Sequence, residues 1–142
     1  MIYHEEKMNL LTVPQGYWIA HCISGDFTLG AGVAKQIDEV FNMKAALQSV
    51  WEDNIEDFIG ACLPIANVLN LVTKDKYWHK PTLKSLRDAL EDMKMVAAEN
   101  CIKKIAMPRI GCGLDKLNWQ DVEPMIKDVF KDMDIEIMVC VL

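Results

Sequence analysis

Two glycine-rich stretches carry the residue types that bind phosphate through the backbone. The first runs from Ser24 to Gly32, and the second, from Met107 to Asp115, contains Gly111-Cys112-Gly113. Glycine lets the chain turn tightly and approach a ligand closely, and a glycine turn that opens a helix presents unpaired N–H groups to anions. The two stretches therefore predict two loops over one anionic ligand. Each is also compatible with a tight connection that holds nothing.

Lys74 and Asp115 are the candidates for chemistry on such a ligand. Lys74 ends a predicted strand, and Asp115 closes the second glycine loop. At one edge of one sheet, a lysine nucleophile and a carboxylate acid/base would face the same pocket, as attack on a sugar carbon requires. Taken singly, each is equally compatible with an ordinary solvated charge. Cys112 is the alternative nucleophile, but no base lies near it in the sequence, and a small side chain suits a tight loop.

The elements that must position these residues follow from the apolar periodicity. Strands are predicted over residues 7–13, 17–23, 62–65, 68–73, 102–107 and 135–141, with a hairpin turn at Ala66-Asn67. Helices are predicted after Gly32, over residues 43–51, from a first turn that contains Pro81 to a break at Asn100, and after Asn118. The residues predicted to face inward on the first two are Val33, Ile37, Val40, Phe41, Ala46, Leu47 and Val50. Residues 54–60 are less defined and end in a turn at Gly60. Alternating strands and helices predict a three-layer α/β/α sandwich with ligands at the C-terminal edge of the sheet.

The composition limits the classes of function. The 142 residues fit one domain over 1–142, and the net charge of −6 argues against non-specific nucleic-acid binding. Five scattered cysteines without a Cys-x-x-Cys pair favour reduced thiols in the cytoplasm over disulfides or zinc. No stretch predicts a membrane span or a signal peptide. The three histidines show no metal-ligand spacing, and His21 is expected in the core. We expect a monomer without cofactor or metal.

Five motifs, in order along the chain, resemble one branch of the macrodomains. They are Ala20-His21-Cys22-Ile23-Ser24, Gly30-Ala31-Gly32-Val33-Ala34, Val72-Thr73-Lys74, His79-Lys80-Pro81-Thr82 and the stretch from Met107 to Asp115. Over residues 10–142 the chain resembles the terminal ADP-ribose protein glycohydrolases, a branch that also includes O-acetyl-ADP-ribose deacetylases. The Gly-Ala-Gly-Val-Ala string is shared with other macrodomains, whereas the strings around Arg109 and Lys80 are specific to this branch.

The resemblance implies a macrodomain fold, α/β/α around a central mixed sheet, with ADP-ribose across the top of the sheet. It implies that Lys74 attacks the distal ribose and that Asp115 acts as acid/base. The first loop would wrap the diphosphate and distal ribose, and the second would hold the diphosphate from the other side. The implied ligand contacts are Asn9, Leu10, Ser24, Gly30, Ala31, Gly32, Val33, Arg109, Ile110, Gly111, Cys112, Gly113, Leu114 and Leu142.

The chain departs from the family pattern in two places. Members of the branch usually carry Gly-Asp-Leu where this chain has Met8-Asn9-Leu10, and their aspartate binds the adenine amine. Other macrodomain hydrolases carry Asn-Ala-Ala-Asn in place of residues 21–24, so their water-activating mechanism is excluded here. Three functions are therefore open. They are a hydrolase acting on ADP-ribosylated acidic side chains of proteins or on O-acyl-ADP-ribose, a non-enzymatic ADP-ribose reader, and a phosphatase acting on ADP-ribose 1″-phosphate.

Overall fold

The computed structural model describes residues 1–51 and 58–142. These residues form six strands and four α-helices. The strands are β1 (Ile2–Lys7), β2 (Trp18–Ser24), β3 (Cys62–Ile65), β4 (Val68–Lys74), β5 (Lys104–Met107) and β6 (Glu136–Val141). The helices are α1 (Gly32–Phe41), α2 (Met43–Trp51), α3 (Leu83–Glu99) and α4 (Trp119–Phe130), and a short 3₁₀ helix spans Leu10–Thr12.

The strands of the described residues form one mixed sheet in the order β1-β6-β5-β2-β4-β3. Strand β3 runs antiparallel to β4, and every other neighbouring pair is parallel. Ala66 and Asn67 both adopt left-handed φ angles, 49° and 64°, which is the backbone that a two-residue hairpin favours. The predicted hairpin is therefore confirmed. The parallel strands all end at one edge, where the loops after β2, β4 and β5 meet.

Helices cover both faces of the sheet. Helices α3 and α4 pack on one face through residues such as Leu86 and Ile126. Helices α1 and α2 pack on the other face through Ile37 and Leu47. Neighbouring residues of β6 alternate between the two apolar clusters, so Ile137 and Val139 are buried on one face of the sheet and Met138 and Cys140 on the other. The predicted three-layer α/β/α fold is confirmed.

The first strand lies earlier in the chain than the sequence predicts. A strand over residues 7–13 is wrong, because β1 ends at Lys7 and the apolar run that follows forms the 3₁₀ helix. Strand β1 is an edge strand that is mostly exposed, so its residues lack the alternation that identifies a half-buried strand. Asn9 caps the 3₁₀ helix, since its Oδ1 accepts a hydrogen bond of 2.9 Å from the Leu11 N–H.

The predicted helices are confirmed, but their buried stripes are narrower than expected. Val40 and Val50, predicted to face inward, are 61% and 57% exposed. Helix α3 begins after a capping box formed by Thr82 and Ser85, so Pro81 precedes the helix instead of lying in its first turn. The Ser85 hydroxyl also donates a hydrogen bond of 2.6 Å to the Thr73 carbonyl, which ties the start of α3 to the end of β4.

The segments that precede β3 and β5 agree in part with the sequence predictions. The turn at Gly60 is confirmed, with φ of 86°, whereas residues 54–57 of that predicted segment lie outside the described residues. Strand β5 begins at Lys104, two residues later than predicted. Among the helices of residues 1–51 and 58–142, none has the length and apolarity needed to cross a bilayer.

Candidate functional site

A cavity of about 1230 Å³ lies where β2, β4, β5 and β6 end. Its walls come from the loops that follow β2, β4 and β5, together with the last residues of the chain. Ligand pockets are typically about 300–1,000 Å³, so this cavity has room for an extended small molecule. The cavity lies at the C-terminal edge of the sheet, which is where alternating β and α elements place ligands.

The first glycine loop brings uncapped backbone N–H groups to this cavity. Helix α1 begins at Gly32, and its N-cap residue, Ala31, makes no side-chain capping hydrogen bond. The first N–H groups of a helix lack partners within the helix and are suited to an anion. Gly32 has a left-handed φ of 60°, and a Cβ there would lie 3.1 Å from Cδ1 of Leu114. The glycine thus allows the first loop to contact the second.

The two glycines of the second loop have different surroundings. Gly111 has φ of 73°, and a Cβ there would lie 3.0 Å from Cδ1 of Leu117, so this position requires glycine for the fold. A Cβ at Gly113 would meet no atom within 4 Å, and its φ lies outside the left-handed region. Gly113 lines the cavity, and a side chain there would enter open space without local strain.

The structure brings Lys74 and Asp115 together at the cavity wall. Nζ of Lys74 donates a hydrogen bond to Oδ1 of Asp115 over 2.7 Å, and the two side chains are 15% and 16% exposed. Lys74 ends β4, and Asp115 lies in the loop after β5, so both stand at the same edge of the sheet. An amine and a carboxylate in direct contact can exchange a proton, which is the property that acid/base chemistry needs.

Asp26 connects the first loop to the loop that follows Lys74. Its Oδ1 accepts hydrogen bonds from the Ser24 hydroxyl (2.5 Å) and the Thr28 N–H (3.2 Å), and its Oδ2 accepts one from the Tyr77 N–H (3.0 Å). Partial burial opposes ionisation, but these hydrogen bonds hold the pKa of Asp26 below its usual value. A charged Asp26 therefore stabilises both loops around the cavity.

Arg109 lines the cavity, but its charge is already paired. Its guanidinium donates to both carboxylate oxygens of Glu5, over 2.9 and 3.1 Å, and lies 5.6 Å from the centre of the Trp119 ring. An exposed bidentate pair of this kind exchanges readily with solvent. Holding a diphosphate through this guanidinium would require Arg109 to leave Glu5.

The thiols of the cavity wall are poorly suited to nucleophilic attack. Burial raises the pKa of Cys22 to about 12, and the negative charge of Asp115 adds to the effect. Desolvation also raises the pKa of Cys112, whose Sγ lies 3.4 Å from the Ile110 carbonyl oxygen. Because the thiolate is the reactive form, this geometry favours the tight-loop interpretation of Cys112 over the nucleophile.

His21 is a core residue, as expected. It is 1% exposed, and its Nε2 lies 2.5 Å from Oδ1 of Asn70, whose amide nitrogen donates to the Leu63 carbonyl. That arrangement assigns the imidazole proton to Nε2, and burial lowers the pKa of His21 to about 4. Within the described part of the chain, no group of His, Cys, Asp or Glu side chains has the arrangement of a metal site.

The structure gathers most of the predicted site residues around the cavity. Asn9 and Leu10 are the two that do not line it, because Asn9 caps the 3₁₀ helix and Leu10 is buried in the core on the α1–α2 face. The predicted residues that do line it are Ser24, Gly30, Ala31, Gly32, Val33, Lys74, Arg109, Ile110, Gly111, Cys112, Gly113, Leu114, Asp115 and Leu142.

Sequence reasoning missed several cavity residues. Tyr77, Lys80 and Trp119 line the cavity without having been predicted there. Lys80 lies in the specific His-Lys-Pro-Thr string, and its Nζ donates a hydrogen bond of 3.2 Å to the Leu114 carbonyl. The Ser-x-Asp-x-Thr spacing around Asp26 is a turn signal that indicates its local bonds to Ser24 and Thr28, but not its bond to the Tyr77 N–H. Nothing in the pattern identified Trp119, the first residue of α4, as a cavity residue.

Comparison with known proteins identifies the family. A family model described as "Macro domain" matches residues 20–126. The ADP-ribose glycohydrolase OARD1 of Homo sapiens is 37% identical over 138 residues, which cover 96% of this chain and 89% of that protein.

Solved structures share the fold. The macrodomain of Mycobacterium tuberculosis DarG is 20% identical, with a TM-score of 0.89 over 99% of this chain and 98% of its own. Thermosipho africanus DarTG in complex with ADP-ribose is 16% identical, with a TM-score of 0.77 over 90% of this chain and 39% of its own. The chain belongs to the macrodomain family.

Proposed function

We propose that the protein binds ADP-ribose and hydrolyses its esters, removing it from acidic protein side chains or deacylating O-acyl-ADP-ribose. The observation that carries this proposal is the contact between Lys74 and Asp115, 2.7 Å long, at the wall of the cavity. The name of the human relative, an ADP-ribose glycohydrolase, supports the same class of reaction. A sugar carbon held beside this pair would meet a nucleophile and a proton acceptor together.

The two glycine loops are proposed to hold the diphosphate of this ligand. The uncapped N–H groups at the start of α1 and the open space beside Gly113 support this role. The net charge of −6 supplies no long-range attraction for an anion, so local N–H groups must provide the binding. The DarTG structure, a complex with ADP-ribose that shares this fold over 39% of its chain, supports the choice of ligand. Ser24, Leu142 and the other lining residues would complete the contacts.

The proposed reaction proceeds through a covalent adduct on Lys74. A proton first passes from Nζ to Asp115 across their hydrogen bond, because an amine attacks only when it is neutral. Nζ then bonds to C1″ of the distal ribose, and the C1″–O bond breaks as its electron pair leaves with the substrate carboxylate. Water replaces the nitrogen at C1″, and the departing lysine takes one proton of that water. Asp115 finally releases its proton to solvent, which restores the site.

Turnover assays on three substrates test this function. We expect the protein to release ADP-ribose from an ADP-ribosyl-glutamate peptide and to deacylate O-acetyl-ADP-ribose, while leaving ADP-ribose 1″-phosphate intact. Phosphate release from the last substrate would indicate the phosphatase instead. Tight binding of ADP-ribose in calorimetry, without turnover of any of the three, would indicate a non-enzymatic reader.

We also propose that residues 1–142 act as one domain and as a monomer in the cytoplasm. Residues from both ends of the chain support the single domain, because β1 and β6 pair along their full lengths. Cys22, Cys62, Cys101, Cys112 and Cys140 are all free thiols, which suits a reducing compartment. Light scattering on the purified protein tests the monomer, and a dimer mass would contradict it.

A further inference from the structure

We propose that the rim of the cavity beside Lys74 is a docking surface for an acidic polypeptide, the segment of the substrate protein that carries the ADP-ribosylated side chain. We call this surface the rim patch and define it as Lys76, Tyr77, Trp78, Lys80 and Lys116. The inference rests on the proposed function and extends it, because it assigns the charge of the substrate segment.

Exposed aromatic rings are the first observation. Tyr77 and Trp78 are 60% and 63% exposed, although large aromatic side chains usually bury most of their surface. Their ring centres lie 5.0 Å apart at an interplanar angle of 87°, and Trp78 lies 5.4 Å from the ring of His79. Neither ring belongs to the two apolar clusters of the fold. Exposed Tyr and Trp are the residue types that anchor protein contacts.

The rim patch is ordered before any partner binds. The Tyr77 N–H donates to Asp26, the His79 N–H donates to the Lys76 carbonyl over 3.0 Å, and Lys80 bonds to the Leu114 carbonyl. A surface fixed in this way loses little conformational entropy on binding. The backbone that carries the exposed rings is therefore held by the same contacts that shape the cavity.

The charge of the rim patch is the third observation. Lys76, Lys80 and Lys116 are exposed, and Asp115 beside them is already paired with Lys74. The nearby carboxylates are Asp75, within the 74–80 segment, and Asp26, which accepts the Tyr77 N–H, so the three lysines leave an excess of one positive charge on a protein whose net charge is −6. A surface that binds nucleic acid contacts many phosphates, and three lysines are few for that role. They suit a short segment with one or two carboxylates on each side of the modified residue.

The rim patch is continuous with the reacting centre. Tyr77 and Lys80 line the cavity together with Lys74 and Asp115. A polypeptide whose modified carboxylate reaches Lys74 must leave the cavity over the surrounding rim. The aromatic rings would contact its backbone and apolar stems, and the lysines would contact its flanking carboxylates.

The test compares substrates with and without a polypeptide. Two ADP-ribosyl-glutamate peptides are needed, one with acidic and one with neutral flanking residues, together with O-acetyl-ADP-ribose. The variants are Trp78→Ala and Lys76→Glu, neither of which lines the cavity. Met95→Ala, at another exposed apolar residue, and Lys103→Glu, at an exposed lysine before β5, are the matched controls.

We expect Trp78→Ala to raise KM for both peptides by about fivefold to tenfold, which is the size of a typical anchor residue. Lys76→Glu should raise KM for the acidic peptide by about twofold to fivefold, as for an exposed ion pair, and this effect should shrink at high salt. Neither change should alter kcat, the turnover of O-acetyl-ADP-ribose, or the melting temperature. The control variants should match the parent on all three substrates.

Three outcomes would overturn the inference. If O-acetyl-ADP-ribose is turned over normally and the peptide KM values are unchanged in both variants, the docking surface is absent while the proposed function stands. If Trp78→Ala weakens binding of a single-stranded oligouridylate and leaves the peptide KM values unchanged, the patch binds nucleic acid instead. If the parent turns over neither the peptides nor O-acetyl-ADP-ribose, the proposed function and this inference fail together.

Discussion

Nζ of Lys74 and Oδ1 of Asp115 lie 2.7 Å apart although the two residues are 41 positions apart in the chain. The contact exists because β4 and the parallel strand β5 end at the same edge of the sheet, with only β2 between them. Each side chain is largely buried, so solvent competes weakly with the contact. Lys80 connects the same two loops a second time through the Leu114 carbonyl.

The different surroundings of Gly111 and Gly113 give a paired prediction. Gly113→Val should abolish ADP-ribose binding and leave the melting temperature near that of the parent, because its Cβ has open space but would occupy the cavity side. Gly111→Val should lower the melting temperature, because its left-handed φ and the 3.0 Å approach to Leu117 both oppose a side chain. Calorimetric titration with ADP-ribose and thermal unfolding measure the two effects. Normal binding by Gly113→Val would mean that this loop does not hold the diphosphate.

Asn9→Asp tests the departure at the adenine end. The amide oxygen of Asn9 already accepts the Leu11 N–H, which leaves one of its two lone pairs for an adenine amine, and it carries no charge. Aspartate caps equally well and has a second carboxylate oxygen to offer. We expect the variant to bind ADP-ribose more tightly by about 1 kcal/mol, which is a several-fold decrease in Kd. Inosine diphosphate ribose, which lacks the exocyclic amine, is the control ligand. Equal gains for both ligands would show that residue 9 does not contact the exocyclic amine.

Much of the fold could be predicted, because buried strands and amphipathic helices leave their periodicity in the sequence. The edge strand β1 could not, since its mostly exposed residues follow neither period and it forms by pairing with β6. Val40 and Val50 fit the helical stripes, yet only a narrower stripe around Ile37 and Leu47 contacts the sheet. Periodicity shows that a helix has an apolar side, but the packing of the helix on the sheet determines how much of that side is buried.

The candidate site was predictable to the same extent as the topology. Lys74 and Asp115 could be paired from the rule that parallel strands end together. The ion pair of Arg109 with Glu5 joins residues 104 positions apart and depends on where β1 lies. It could not be predicted because the sequence placed the first strand over the wrong residues. The role of Asp26 depends on a hydrogen bond to a backbone N–H in another loop, which no side-chain pattern specifies.

The buried His21 predicts a loss of stability in acid. Its pKa is lowered from the ordinary 6.5 to about 4, so the unfolded chain binds this proton more readily than the folded one. The stabilising contribution is complete above about pH 6.5 and is lost as the pH falls to about 4, up to about 3 kcal/mol in the free energy of unfolding. His21→Gln should flatten urea-unfolding stability across this range.

His4 provides the control for that measurement. Its hydrogen bonds with Glu6 and Glu136 raise its pKa against the opposing effect of burial, so its contribution is present at low pH and is lost as the pH rises. His4→Gln should therefore keep the loss of stability in acid. Parental acid sensitivity in His21→Gln would assign the effect to the carboxylates instead.

The final prediction separates catalysis from binding at the central pair. Lys74→Arg keeps a cation beside Asp115 but removes the amine, since a guanidinium is not deprotonated in proteins. We expect Lys74→Arg and Asp115→Asn each to lower kcat for the ADP-ribosyl-glutamate peptide by about 100-fold or more. The double variant should be at most about threefold slower than the slower single variant, because residues that act on one intermediate are not additive. Lys74→Arg should retain most of the ADP-ribose affinity, since the glycine loops are unchanged. The glycosylamine on Lys74 opens to an imine when a proton passes from its nitrogen to O4″ and the C1″–O4″ bond breaks, so borohydride reduction during turnover should leave an adduct that mass spectrometry can locate. If Lys74→Arg turned over the peptide at the parent rate, the lysine route would be wrong, and a water activated by Asp115 would be the nucleophile.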